Sequence, residues 1–210
     1  MTSPRDPADQ VLVSLDRALR ALFAPVRGSR PTPGGTSPEL DEGGRRLSAS
    51  LMRVNHAGEV AAQGLYHGQA LFARDPATRS LLEQSAREEA DHLAWCETRL
   101  AELGSRPSLL QPLWYAGSFA IGAVAGLSSD PVSLGFVAET ERQVERHLDS
   151  HLEQLPAEDQ RSRDILSAMR DDEQTHGEHA MQAGAVTLPA AVRRLMHATA
   201  KVMTTTARWI

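Results

Sequence analysis

Aromatic side chains are scarce in this 210-residue chain, at 4% of the total, and Cys96 is its single cysteine. Runs of Val, Ile, Thr and Tyr are equally rare, while Ala, Leu, Glu, Arg, Gln and His recur. A shortage of strand formers beside an abundance of helix formers argues against a sheet and for an all-α protein. One cysteine excludes an intramolecular disulfide and suits a reducing compartment, with Cys96 read as a small buried hydrophobe on a helix. The N-terminus lacks the basic region, long apolar core and small-residue cleavage site of a secretory signal, so the chain is read as intracellular. The net charge of −5 leaves no general basic face, and no nucleic-acid partner is expected. No Gly-rich dinucleotide fingerprint follows a strand, and no flavin motif is present.

Apolar residues make up 41% of the chain, enough for one domain with a substantial core. The stretch Val11 to Phe23 reads as a short amphipathic helix with arginines on its polar side. Ala24 to Gly44 then collects Pro, Gly, Ser and Thr, which predicts a flexible linker. Residues 1–44 are therefore read as helix plus linker, and 45–210 as the functional domain. Within that domain, helical patterns run over about Leu47–Ala73, Ala77–Gly104, Val132–Leu155, Ala157–Ala183 and Pro189–Arg208.

Helix two of this set contains Glu89-Ala-Asp-His92, and helix four contains Glu173-Gln-Thr-His176. Residues three apart project from one helix face. A lone Glu-x-x-His is close to chance, and each residue singly is ordinarily a solvated Glu or a hydrogen-bonded His. Here, however, both pairs fall on apolar stripes: Leu82, Ala86, Leu93 and Cys96 for the first, Ile165, Met169 and Ala180 for the second. Polar groups on an inward face need a partner, and a metal is one. Each motif also follows a Glu on the preceding helix, Glu59 before Glu89 and Glu141 before Glu173. Two hairpins each supplying Glu and then Glu-x-x-His match the recipe of ferritin-like di-iron or di-manganese four-helix bundles. The expected ligands are Glu59, Glu89, His92, Glu141, Glu173 and His176, and the oxygen-rich set suits a pair of iron or manganese ions. Asp91 is a candidate to orient a histidine from behind, with a solvated surface Asp as the equal alternative. Glu88, Glu97, Glu139, Glu145 and Glu178 fall off the stripes and are read as surface, and His56, His147, His151 and His179 are weaker candidates.

Between the two hairpins, Asp130 is the sole charge from Pro107 to Ala138. Gly122 and Gly126 in this stretch form a small-xxx-small pair that permits close helix contact. The stretch is long enough to cross a membrane. A single crossing, however, would put Glu89 and His92 on the opposite side from Glu141. It is therefore expected to lie in the interface or re-enter, with Trp114, Tyr115, Phe119, Ile121 and Val124 as contacts to lipid or to a substrate tail. A buried core hairpin or a contact to another subunit is the alternative.

The chain resembles the Coq7 family, the di-iron monooxygenases that hydroxylate demethoxyubiquinone. The resemblance covers about Leu47 to Ile210. It rests on Arg53-Val-Asn-His-Ala-Gly-Glu-Val60, Glu88-Glu-Ala-Asp-His-Leu93, Pro112-Leu-Trp114, Val137-Ala-Glu-Thr-Glu141 and Asp172-Glu-Gln-Thr-His176. The family's iron ligands fall on the six residues named above. Some members carry His-His-Tyr after the third-helix Glu, with a redox role assigned to the Tyr. Here that stretch is Arg146-His147-Leu148, so no tyrosine stands there.

The resemblance implies ring hydroxylation of a polyprenylated methoxy-methyl-benzoquinol in ubiquinone biosynthesis. It implies two iron ions, O2 as cosubstrate, and electrons from a donor such as NADH or a reductase. The implied partners are the quinol and the membrane surface, with room for other ubiquinone-biosynthesis proteins and a homo-oligomer. The implied place is peripheral, on the cytoplasmic side of the cell membrane. The alternatives are a catalase, a peroxidase or another hydroxylase on the same scaffold, an iron-binding protein, or a metal-free tethering bundle. Soluble substrates would give no reason for the charge-poor segment.

Overall fold

The computed structural model describes residues 7–24, 28–35 and 38–210, and the described residues form seven helices with no strand. They are α1 (Pro7–Phe23), α2 (Glu42–Phe72), α3 (Pro76–Glu102), α4 (Gln111–Ser128), α5 (Asp130–Gln154), α6 (Gln160–Gln182) and α7 (Ala190–Ala207). The boundaries follow local chemistry. Asp41, Asp75, Ser129 and Asp159 cap α2, α3, α5 and α6 through side-chain oxygens that accept from backbone N–H groups. Proline occupies the first turn of α3, α4 and α5, where its missing N–H is not needed. Gly104 and Gly184, at φ of +65° and +101°, end α3 and α6 in a conformation open to glycine. The cap at Asp41 starts α2 a turn before the apolar pattern at Leu47.

The hairpins α2–α3 and α5–α6 make the four-helix bundle. Helix α4 lies along α2 and reaches α5, α7 packs on α2 and α5, and α1 rests on α2 and α4. The core comes in two main clusters. One gathers Leu51, Met52, Trp95, Cys96, Leu100, Leu148, Ile165, Leu166 and Met169. The other gathers Tyr66, Ala70, Leu82, Ala86, Leu134, Val137 and Ala180. Each fully buried Leu or Ile contributes about 1.5–3 kcal/mol. All four bundle helices contribute to both clusters, so their middle turns form a separate layer between two apolar plugs. Arg99 ties the end of α3 to the start of α6 by donating to Asp159 Oδ1 (2.8 Å) and Ser162 Oγ (2.8 Å).

The charge-poor stretch folds as α4, and among the described residues no helix is long and apolar enough to cross a membrane. Of the five side chains expected to face lipid, Val124 is 67% exposed and Ile121 38%. Trp114 packs on Val54, Ala57 and Ala207. Tyr115 is turned inward, where its hydroxyl meets His67 Nδ1 at 2.8 Å and Phe119 stacks on its ring. Tertiary packing makes the difference: Tyr115 and Phe119, four residues apart on one face of α4, lie on the face that α1 and α2 cover. Within the stretch read as a linker, residues 25–27 and 36–37 lie outside the described residues. Residues 28–34 run against α3 and α6, where Arg161 donates to the Pro33 carbonyl at 2.7 Å.

Glycines set the α2–α4 crossing on both sides. A Cβ at Gly68 would stand 2.2 Å from the Phe119 carbonyl oxygen, and one at Gly122 equally close to that of Leu65. A Cβ at Gly58, on the same helix as Gly68, would meet nothing within 4 Å. Gly68→Ala is therefore expected to destabilise the protein by about 1–3 kcal/mol through overpacking. Gly58→Ala is expected to stabilise it by roughly 0.5–1 kcal/mol through backbone entropy. Denaturant melts of the two variants check the opposite signs.

Candidate metal centre

Glu59 of α2, Glu89 and His92 of α3, Glu141 of α5, and Glu173 and His176 of α6 all lie in the middle layer, none more than 4% exposed. The structure brings the six together. His92 Nδ1 is 3.0 Å from Glu89 Oε2, 3.4 Å from Glu173 Oε1 and 3.8 Å from Glu59 Oε2. His176 Nδ1 is 3.3 Å from both Glu89 Oε1 and Glu173 Oε2. Glu89 and Glu173 thus each face both histidines, while Glu59 stands at the His92 end. Glu141, which interacts with Glu173, Glu89 and His176, stands at the other end and accepts a hydrogen bond from the buried Tyr66 hydroxyl. The result is a two-lobed centre with two shared carboxylates and one terminal carboxylate per lobe. Ligand atoms of Glu59, Glu89, His92 and Glu173 all lie within 4.8 Å of one another.

Charge is unbalanced here. Among the described residues, Glu59, Glu89 and Glu173 pair with His92 or His176, and none of the four carboxylates is shown paired with a Lys or Arg. Burial, reinforced by neighbouring carboxylates, holds Glu59 and Glu141 well above the usual carboxylate range. Burial also opposes ionisation of Glu89, but the two imidazoles outweigh it and hold that group well below its ordinary value. Burial would keep the histidines neutral, yet the carboxylates around them win, and His176 is pushed up to about 12. Protons are thus drawn into the layer to offset its negative charge. A hard cation would do the same. The donor set of four carboxylates and two imidazoles fits one, as does Glu89 Oε1, which is buried and accepts no hydrogen bond.

The outer ring nitrogens are held by carboxylates exchanged between the hairpins. His92 Nε2 donates to Asp172 Oδ2 of α6 (2.8 Å), and His176 Nε2 donates to Glu88 Oε2 of α3 (2.6 Å). These contacts fix each ring with Nδ1 facing the centre. Two sequence expectations are corrected. Asp91 does not orient a histidine, because its carboxylate is engaged by Ser29 and Arg30. Glu88 is not idle surface, because a residue beside the inward Glu89 points along the seam toward α6. The signal was available: an acidic residue precedes the Glu of both Glu-x-x-His motifs. Tyr66 was also overlooked, although seven residues after Glu59 puts it on the same helix face.

Of the other residues weighed, Glu139 is only 7% exposed and pairs with Arg142, so it too leaves the surface class. His151 Nδ1 is bonded to Asn55 Oδ1 at 2.8 Å, and the His147 ring lies tilted against it at 57°. His56 Nε2 lies 3.6 Å from Glu97. Cys96 is buried against Met169, as a small hydrophobe should be.

A bundle in which two hairpins each present Glu and then Glu-x-x-His to one buried layer is a ferritin-like carboxylate–histidine protein. The comparisons narrow the class. The family model described as "Ubiquinone biosynthesis protein COQ7" matches residues 46–207, and the chain belongs to the Coq7 family. The 3-demethoxyubiquinol 3-hydroxylase of Ralstonia pickettii is 58% identical over 212 residues, covering 95% of this chain and 98% of that protein. The enzyme of the same name from Bordetella parapertussis is 56% identical, covering 97% of this chain and 93% of its own. That of Polynucleobacter necessarius is 55% identical, covering 96% and 98%.

The electrostatics give a pH test. For Glu59 and Glu141 the folded value lies above the ordinary 4.5. The stability they contribute is therefore complete below that ordinary value and is lost as pH rises through the folded value. After chelator treatment, the wild-type protein is expected to lose stability from about pH 5 upward, and Glu59→Gln to lose less. Thermal melts at a series of pH values should show the variant gaining on wild type as pH rises. A variant that loses as much stability as wild type over the same range, or more, would contradict this assignment.

Proposed function

We propose that the protein is a 3-demethoxyubiquinol 3-hydroxylase, a monooxygenase of ubiquinone biosynthesis. The observation that carries this reading is the six-residue centre in a chain 55–58% identical to enzymes bearing that name along nearly their whole lengths. Glu59, Glu89, His92, Glu141, Glu173 and His176 would hold two iron ions. Such ions would supply the oxygen-activating chemistry of ring hydroxylation, in which one atom of O2 enters the quinol ring and the other leaves as water at the expense of two electrons, from NADH or a reductase, and two protons. Asp172 and Glu88 keep the histidine rings in place, the apolar clusters on either side exclude water, and Tyr66 steadies Glu141.

The polyprenyl tail of the substrate keeps it in lipid, so the enzyme must work at a membrane surface. Helix α4 supports this placement with exposed Leu113, Ile121, Val124 and Leu127 at helical spacing. We assign the protein to the cytoplasmic face of the cell membrane, with residues 45–210 as the catalytic unit.

Deleting the gene in its host should make a demethoxy-quinone accumulate. The wild-type gene should restore ubiquinone and Glu89→Ala should not, as read by quinone profiling. Normal ubiquinone in a deletion strain that holds no second hydroxylase would refute the assignment. In the same strain, Ile121→Asp with Val124→Asp should shift the protein from the membrane to the soluble fraction.

A further inference from the structure

Residues 28–34 precede the stretch matched by the family model, yet they reach the edge of the centre. The Asp91 carboxylate, 4% exposed, accepts from the backbone N–H of Ser29, from Ser29 Oγ (3.0 Å), from the Arg30 backbone N–H (3.1 Å) and from Arg30 Nε (2.9 Å). The Arg30 guanidinium lies 4.6 Å from the Trp95 ring centre, and Trp95 Nε1 donates to the Arg30 carbonyl at 3.4 Å. With Nε placed on Asp91 of α3, Nη2 of the same guanidinium donates to Asp172 Oδ2 of α6 at 2.7 Å. That oxygen is the one that accepts from His92 Nε2.

We propose that Arg30 is a positioning residue for the centre, fixing the outer face of His92 by clamping Asp172. The inference rests on the metal reading above. Asp172 is 29% exposed, so without a second anchor its carboxylate is free to turn toward water. The fully buried His92 Nε2 would then lose its acceptor. The planar fork of arginine spans the two carboxylates at once, which a lysine ammonium matches less well. The opposite lobe is built differently: Glu88 has neutral Gln84 as its companion (2.9 Å). The two histidines are thus held with unequal firmness, and the charged clamp on His92 comes from outside the bundle.

The test uses the full chain after chelator treatment, titrated with cobalt(II) alone. Arg30→Gln retains much of the stem over Trp95 and removes the charged fork. It is expected to weaken cobalt binding by about tenfold and to speed solvent exchange of the His92 ring N–H, read as a hyperfine-shifted proton resonance. Arg30→Lys should fall between Arg30→Gln and wild type. In an Asp172→Asn background, Arg30→Gln should add no further loss. Unchanged affinity and exchange in a folded Arg30→Gln protein, with only a lower melting temperature, would reduce Arg30 to a tether and overturn the proposal. An equal loss in the Asp172→Asn background would show that Arg30 acts by another route. If the wild-type chain bound no cobalt, the metal reading itself would fall, and the inference with it.

Discussion

Four carboxylates share one buried layer with two imidazoles, and the rest of the molecule is arranged around that charge. Moving a carboxylate out of water is costly unless a counter-charge comes with it. Burial drives Glu59 and Glu141 toward their protonated forms, and the two histidines counter only part of that push. The layer sits halfway along each bundle helix, between the Leu100–Met169 cluster and the Leu82–Val137 cluster. Those plugs keep water out, which strengthens every electrostatic interaction inside and makes a resident cation the most effective way to satisfy the site.

The duplicated hairpin turns this charge into geometry. Because each hairpin offers Glu and then Glu-x-x-His, the centre has two similar lobes, and Glu89 and Glu173 contact both histidines. The outer carboxylates cross between hairpins, Asp172 to His92 and Glu88 to His176. Each imidazole is consequently gripped by both halves of the bundle. Helix α4, packed by its glycines on α2, leaves one apolar edge outward.

Much of this was legible from residue order alone. Apolar stripes at steps of three and four gave the bundle helices, and Asp-Pro, Gly and Pro marked most of their ends. The six inward residues were legible because polar groups on apolar stripes demand an explanation. What escaped were contacts between elements distant in the chain. Glu88 and Asp172 sit at stripe edges, and their role exists only once α3 and α6 lie side by side. Tyr115 looked like an interface aromatic because a sequence does not say which face of α4 meets α2. The docking of Arg30 was hidden by a Pro- and Gly-rich context that ordinarily signals a loose linker, and Asp91 was drawn toward a histidine for the same reason.

The central proposal is that the buried layer holds a pair of metal ions. Iron analysis combined with Mössbauer spectroscopy of protein from iron-supplied cells tests it most directly. The account predicts close to two irons per chain, magnetically coupled, with the pair lost in Glu173→Ala. Protein that folds and carries no metal, or a single uncoupled ion unaffected by Glu173→Ala, would contradict it.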